Sequence, residues 1–184
     1  MQGIVSLLDG ADRERVEELW DDLRRDFGVR GIHAKRFPHF SYHVAEEYDL
    51  ARAQAAIGAL ALQTRSFSVQ TSGIGIFTRK LPVIYLPVVR GPELAAAHAR
   101  IAEAAAPITM APNEYYANDV WIPHVTIAEG DVDILVLPEI VRRFGERDFR
   151  WEMHVTNFAL IRASETVQEV CFRCEFGAGR IATE

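Results

Sequence analysis

The chain has 184 residues, of which 49% are hydrophobic, and a formal net charge of −6. This length suits one compact domain with a proper core, and no apolar run approaches the roughly 20 residues of a membrane span. Proteins that coat long nucleic acids usually have a basic surface, so the negative charge excludes that class and leaves room for a pocket that takes a nucleotide or an RNA end.

Hydrophobic periodicity predicts alternating strands and helices in the first half of the chain. Asp12 and Asp49 are plausible N-caps of two helices. Gly73 and Gly75 interrupt a strand and indicate a bulge or bend, and Pro87 favours an edge position or a bulge. The predicted elements are a strand over 2–8, a helix over 12–27, a strand over 32–44, a helix over 50–63, an interrupted strand over 67–78 and a strand over 83–89.

The second half repeats the same order of helix, histidine-bearing strand, helix and hairpin. Its predicted elements are a helix over 92–106, a long loop over 107–120, a strand over 121–127, a helix over 133–146 with Pro138 in its first turn or at a break, strands over 149–162 and 166–176, and a tail from 177 that should fray. Strands joined by hairpins and helices predict antiparallel sheets in a single α+β domain over 1–184.

Two segments share one residue pattern. Residues 38–42 read Pro-His-Phe-Ser-Tyr, and residues 123–127 read Pro-His-Val-Thr-Ile. On a strand, alternate side chains share a face and lie roughly 7 Å apart. His39 therefore shares a face with Ser41, and His124 with Thr126. The two copies are about 85 residues apart, which indicates an internal duplication into two intertwined lobes whose histidine strands face each other across a cleft.

The paired motifs resemble those of the 2H phosphoesterase superfamily, which includes the bacterial 2'-5' RNA ligase-like proteins and the cyclic nucleotide phosphodiesterases. The resemblance spans most of the chain, because the order of elements agrees as well. It implies a 2'-5' RNA ligase-like fold, with two pseudo-symmetric lobes of antiparallel sheet around a central groove and helices outside. It also implies catalysis by His39, Ser41, His124 and Thr126, although Ser41 replaces the commoner threonine of the first motif.

The activity implied by this resemblance is the opening of a 2',3'-cyclic phosphate on a nucleotide or an RNA end, which leaves a 2'-phosphate; some family members run the reverse as a 2'-5' ligation. Phosphodiester cleavage needs a base and an acid, and histidine serves both roles near neutral pH. Neighbouring hydroxyls can stabilise the charge on the non-bridging oxygens. The scheme needs no metal or other cofactor. We assign His124 as the base and His39 as the acid, although pseudo-symmetry would allow the reverse.

Four further residues are candidates for substrate contacts. His43 would share a strand face with His39 and Ser41, and Arg36 could hold a phosphate on the 5' side. Tyr116 and Trp121 could stack on a base, as aromatic residues do in single-strand binders. The alternatives are an exposed or structural His43, a solvated loop charge at Arg36 and simple packing for the aromatic residues. Tyr115, Arg79 and Lys80 are further candidates near the expected groove.

Other histidines and both cysteines favour structural roles. The segment His154-Val155-Thr156 lacks the preceding proline, and His98 lies on an apolar helix stripe. Cys171 and Cys174 form a Cys-x-x-Cys pair, but on a strand they fall on opposite faces. We therefore expect two free thiols in a reducing cytoplasm. The start of the chain shows no basic leader, so we also expect no signal peptide.

Two rival functions remain open. One is a module that binds a nucleotide or an RNA end without turnover, and the other is a metallohydrolase that uses the histidines as ligands. All four motif positions carry a catalytic residue type, which argues against a module without turnover. No carboxylate lies at ligand spacing near both motifs, which argues against a metallohydrolase. We expect a monomer whose partner is a small nucleotide or an RNA end carrying a cyclic phosphate, without membrane association.

Overall fold

The computed structural model describes residues 1–34, 37–164 and 168–177 of the chain. Arg36, the predicted turn residue Glu165 and the predicted tail from 178 onward lie outside the described residues. Within the described ranges, no helix is long and apolar enough to cross a membrane.

Strands and helices alternate along the described part of the chain. The strands are β1 (Gln2–Leu7), β2 (His39–Tyr48), β3 (Phe67–Gln70), β4 (Gly75–Phe77), β5 (Val83–Pro87), β6 (Thr109–Pro112), β7 (His124–Ala128), β8 (Glu152–Val155), β9 (Asn157–Ala163) and β10 (Gln168–Glu175). The α-helices are α1 (Gly10–Phe27), α2 (Leu50–Leu62), α3 (Pro92–Ala105) and α4 (Leu137–Gly145). Short 3-10 helices span Gly31–Ala34, Ala106–Ile108 and Glu114–Tyr116.

Eight of these strands form one antiparallel sheet in the order β10-β9-β1-β2-β7-β5-β4, and β6 pairs with β2 beside this path. The remaining two strands, β3 and β8, form a separate antiparallel pair. The predicted α+β class with antiparallel sheets is therefore confirmed. The two histidine strands, β2 and β7, are neighbours at the middle of the large sheet.

The helices α1, α2 and α3 cover one face of the large sheet. α1 contacts β7, α2 contacts β9 and β10, and α3 contacts β2. The apolar stripe predicted for α1 is buried in this layer, and so are the apolar side chains of the histidine strands. Members of this core include Val16, Leu19, Trp20, Leu23, Phe40, Tyr42, Val125 and Ile127. The opposite face carries the side chains that alternate with these residues.

Some predicted boundaries were wrong. α1 begins at Gly10, since the carbonyl of Asp9 accepts the N–H groups of Asp12 and Arg13, so Asp12 lies in the first turn. α4 begins at Leu137 after a turn closed by the carbonyl of Asp133. The histidine strands begin at the histidines themselves, because the preceding prolines have no N–H for a ladder.

Two longer segments contain more structure than their sequence indicated. The predicted loop over 107–120 includes β6, which pairs with the far end of β2, and two 3-10 helices. The predicted strand over 149–162 is broken at Thr156 into β8 and β9, which belong to different sheets. The interruption predicted at Gly73 and Gly75 is confirmed, since β3 and β4 are separate strands. Both cysteines are free, as predicted.

Candidate functional site

The two histidine motifs lie side by side. β2 and β7 are antiparallel through the pair Phe40 and Val125, and both of these side chains are 0% exposed on the helix-covered face. Continuing that register places His39 beside Thr126 and Ser41 beside His124, on the other face. The two histidines are then diagonal neighbours, about 7–8 Å apart at the backbone. The motifs therefore occupy adjacent strands of one sheet and not opposite walls, and the cleft lies over them.

The two imidazoles are oriented in the same way. Nδ1 of His39 lies 2.7 Å from the carbonyl oxygen of Phe37, and Nδ1 of His124 lies 2.7 Å from the carbonyl oxygen of Ile122. A carbonyl only accepts, so Nδ1–H is the donor in both contacts. This fixes the tautomer and leaves Nε2 of each ring as the nitrogen that can exchange a proton. In each motif, the proline between the two residues of the contact fixes the backbone turn.

Aromatic side chains surround the ring of His124. The ring of Phe77 meets it edge-on at a centroid distance of 5.0 Å, and the ring of Tyr85 at 5.2 Å. Phe77 and Tyr85 stack on each other at 4.1 Å. Tyr85 reaches this position by passing over Gly75, where an added Cβ would lie 2.4 Å from the ring. The glycine that the sequence marked as a strand interruption thus makes room for the support of His124.

Two aromatic residues lie next to Ser41. Its side chain lies near the phenol of Tyr116 and influences the pKa of that phenol, and its carbonyl oxygen accepts the indole N–H of Trp121 at 2.9 Å. Burial raises the pKa of Tyr116, while the nearby side chain of Ser41 acts in the opposite direction. Tyr116 is therefore a neutral phenol at physiological pH. Its own carbonyl oxygen contacts Nε2 of His98 at 3.0 Å.

The backbone of Thr126 has a comparable indole contact. Nε1 of Trp20, on α1, donates to the carbonyl oxygen of Thr126 at 3.3 Å. Each hydroxyl-bearing motif residue therefore has its carbonyl held by a buried tryptophan. The sequence placed Trp20 on the core face of its helix but gave no indication of this hydrogen bond.

His43 does not join the motif face, contrary to the prediction. The pairing of β1 with β2 shifts register between Ile4, opposite His43, and Val5, opposite Ser41. This bulge at Tyr42 turns His43 into the core, where it is 8% exposed and its Nδ1 contacts the hydroxyl of Tyr48. Burial, with a smaller contribution from nearby His98, lowers its pKa to about 4. His43 is therefore a neutral, structural histidine, one of the alternatives left open above.

The other predicted substrate contacts have different outcomes. Trp121 is 3% exposed and stacks on His98 at 3.8 Å, so its indole is not available to a base, and the packing alternative fits it. Tyr116 lines the cleft, and its role toward substrate stays a prediction. Arg36 lies outside the described residues. His154 is exposed on β8, where it contacts Ser68, and it is not among the cleft-lining residues.

A cleft of about 660 Å³ lies over the motifs. It is lined by all four motif residues, by Phe77 and Tyr116, and by three rim residues of the segment before β7. These rim residues are exposed and apolar: Tyr115, Val120 and Ile122. In the described ranges, no group of three or more His, Cys, Asp or Glu side chains is arranged to hold a metal ion.

Two charged residues of the cleft complete the site. Arg79 and Glu129 both line it, and Nη2 of Arg79 lies 2.8 Å from Oε1 of Glu129. The sequence indicates Arg79 as a candidate near the expected groove, whereas it gives no role to Glu129. Its position just after the second motif was the available signal.

Comparison with known proteins identifies the family and the fold. The family model of the 2'-5' RNA ligase superfamily matches residues 11–166. The fold is similar to that of E. coli LigT complexed with 3'-AMP, with 18% identity, a TM-score of 0.63 and coverage of 95% of this chain and 97% of LigT. It is also similar to TT0787 of Thermus thermophilus, with 18% identity, a TM-score of 0.58 and coverage of 96% of this chain and 97% of TT0787. No curated protein matches the chain. Because the family model covers most of the chain, the protein belongs to the 2'-5' RNA ligase superfamily.

Proposed function

We propose that this protein is a metal-independent phosphoesterase that opens 2',3'-cyclic phosphates on nucleotides or RNA ends. The observation that carries the proposal is the matched orientation of the two imidazoles. Each Nδ1–H is used by a backbone carbonyl, so both rings can present Nε2 for proton transfer above the same sheet face. Two hydroxyls, from Ser41 and Thr126, lie beside them in one cleft.

The reaction needs two proton transfers and one substitution at phosphorus. Nε2 of His124 takes a proton from water as the water oxygen attacks phosphorus. The bond from phosphorus to the ribose 3'-oxygen breaks, and Nε2 of His39 gives its proton to that oxygen. The product carries a 2'-phosphate. A 5'-hydroxyl in place of water would give a 2'-5' linkage through the same groups.

The hydroxyls and the cleft rim supply the remaining interactions. Ser41 and Thr126 donate hydrogen bonds to the non-bridging oxygens, where negative charge increases in the transition state. Tyr115, 81% exposed at the rim, offers a ring face on which a base can stack. The similarity to LigT complexed with 3'-AMP supports a ribonucleotide with phosphate on its ribose as the kind of ligand.

The test is a panel of 2',3'-cyclic nucleotides and RNA oligomers with cyclic ends, with and without EDTA. We expect ring opening that resists EDTA, with product position read by phosphorus NMR. His39→Ala and His124→Ala should each lose roughly 10²–10⁴-fold in kcat, the usual contribution of general acid–base catalysis. His154→Ala, outside the cleft, is the matched control. Tight binding of a 2'-nucleotide without hydrolysis would instead indicate a binding module, and loss of activity in EDTA a metal-dependent enzyme.

A further inference from the structure

An ion pair lines one end of the cleft. Nη2 of Arg79 contacts Oε1 of Glu129 at 2.8 Å, and Nε of the same guanidinium donates to the carbonyl oxygen of Leu81 at 3.1 Å. The two contacts fix the plane of the guanidinium. Among the described residues that line the cleft, Arg79 is the one lysine or arginine.

The pair lies beyond the reacting groups and not between them. Glu129 follows Thr126 by three residues, which is about 10 Å at the rise of a strand. The register of β2 and β7 puts Thr126 beside His39. Arg79 and Glu129 are therefore at the end of the cleft next to His39 and Thr126. They are placed to contact the next group of the ligand beyond the phosphate that the motif hydroxyls would hold.

A second cavity continues past this pair. It has a volume of about 600 Å³, and Arg79 and Glu129 line it as well as the first cleft. The other residues that line it are Gly31, Lys80, Leu81, Gly130 and Asp131. The ion pair is thus the shared wall of the two cavities, and a ligand longer than one nucleotide can extend from the first into the second by passing over it.

The wall of the second cavity is fixed by close backbone contacts. Oδ2 of Asp131 accepts the N–H groups of Arg30 and Gly31 at 2.6 and 2.9 Å. At Gly31 an added Cβ would lie 2.0 Å from the carbonyl oxygen of Glu129, so only glycine lets the two segments approach this closely. The shape of the second cavity is therefore fixed by the fold.

Two basic and two acidic side chains line the second cavity: Arg79 and Lys80, and Glu129 and Asp131. Asp131 is held by the backbone N–H groups of Arg30 and Gly31, so the two basic side chains are the groups that can bind a phosphate. A guanidinium can bind a phosphate through two parallel hydrogen bonds. The side chain of Arg79 is 54% exposed, and exposed ion pairs contribute little to stability. A phosphate can therefore replace the carboxylate of Glu129 as the partner of Arg79 with little loss.

We propose that Arg79 and Lys80 form a subsite for the phosphodiester on the 5' side of the nucleotide that carries the cyclic phosphate. Glu129 orients Arg79 until substrate binds. The inference rests on the proposed function and specifies its substrate class: an RNA end of two or more nucleotides, in preference to a cyclic mononucleotide.

The experiment compares kcat/KM for 2',3'-cyclic AMP and for the dinucleotide ApA with a 2',3'-cyclic end. We expect the wild type to prefer the dinucleotide by at least tenfold, mainly through KM. Arg79→Gln should reduce kcat/KM for the dinucleotide at least fivefold more than for cyclic AMP, so that the preference shrinks. Arg150→Gln is the matched control, because Arg150 forms a similar exposed ion pair, with Asp148 at 3.0 Å, outside both cavities; it should keep the wild-type preference.

A failure of the proposed subsite can be distinguished from a failure of the proposed function. If the wild type hydrolyses both substrates with equal kcat/KM, or if Arg79→Gln reduces both equally, the subsite is wrong while the phosphoesterase activity stands. If the wild type hydrolyses neither substrate, both the proposed function and the proposed subsite are wrong.

Discussion

The hydroxyl of Ser41 has the phenol of Tyr116 as a neighbour. A serine hydroxyl rotates more freely than that of threonine, whose β-branch restricts χ1, and we expect a hydrogen bond with Tyr116 to compensate for this freedom when substrate is bound. Tyr116→Phe removes one neutral hydrogen bond, worth about 0.5–1.5 kcal/mol. We expect kcat/KM for a cyclic phosphate substrate to fall by roughly 3- to 10-fold, measured by steady-state kinetics.

A double-mutant cycle gives the control for this prediction. If Tyr116 acts through Ser41, Tyr116→Phe should have almost no effect in a Ser41→Ala background. Equal losses in both backgrounds would mean that the phenol contacts substrate by itself and that the positioning role is wrong.

Buried His43 makes stability depend on pH. In the unfolded chain its imidazole gains a proton below its ordinary pKa of 6.5, whereas in the folded protein it does so only below about 4. The unfolded state binds more protons between these values, so the free energy of unfolding should fall as pH drops from 6.5 to 4, by about 3 kcal/mol. Urea denaturation at pH 7 and pH 4.5 measures this change, and His43→Gln, which keeps a partner for Tyr48, should show a smaller loss. An equal loss in the variant would show that the pH dependence of stability does not come from His43.

Period-two alternation was sufficient to group the motif side chains but failed at His43. His39, Ser41, His124 and Thr126 line one cleft because each pair is separated by a single residue within a regular stretch of strand. The bulge at Tyr42 lies between Ser41 and His43, and no glycine or proline marks it. A register shift of one residue sends every later side chain to the opposite face, so this error could not be detected from the sequence.

Two tryptophans hold the backbones of β2 and β7 in addition to the strand ladder: Trp121 bonds β2 from the segment before β7, and Trp20 bonds β7 from α1. Past the pair of Phe40 and Val125, the carbonyl of Ser41 is bonded by Trp121 and the carbonyl of Thr126 by Trp20. Phenylalanine in place of either tryptophan keeps most of the packing but leaves a buried carbonyl without this donor, at a cost of about 1–3 kcal/mol. We expect that loss in the free energy of unfolding, together with a fall in kcat larger than any rise in KM.

Trp151 is the matched control for these two substitutions. Its Nε1 donates to the carbonyl oxygen of Asp148 at 3.2 Å in a surface turn, away from the motifs. Trp151→Phe should leave kcat and KM at their wild-type values. Should Trp20→Phe and Trp121→Phe also leave kcat unchanged while the stability falls, the indoles would be structural only, and the spacing of the motifs would not depend on them.

The exchange of hairpins between the two halves of the chain could not be predicted from the sequence. The duplication predicted two lobes, each with its own hairpin. In the fold, the hairpin β4–β5 of the first half pairs with β7, and the hairpin β9–β10 of the second half pairs with β1. Local periodicity defines strands but not their partners, because a pairing over 150 residues leaves no local signal. The order of elements was predictable, and the sheet order was not.

This exchange makes the first strand and the last hairpin one unit, which Asn157 joins. Its side chain is buried, Oδ1 accepts the N–H of Leu7 at 3.0 Å, and Nδ2 donates to the carbonyl of Leu7 at 3.0 Å. The amide thus acts as the backbone of a partner strand at the end of β1. Asn157→Ala leaves both groups of Leu7 buried and unpaired, and each such group costs about 1–3 kcal/mol.

We therefore expect Asn157→Ala to lower the free energy of unfolding by about 2–4 kcal/mol, measured by urea denaturation. Because each half of the sheet contains strands from both halves of the chain, the loss should appear as one transition at lower urea with an unchanged m-value. Asn118→Ala, in the exposed loop before β7, should leave the midpoint within about 0.5 kcal/mol of the wild type. A second, separate transition in Asn157→Ala would show that the two halves unfold independently, contrary to the coupling that the exchanged hairpins require.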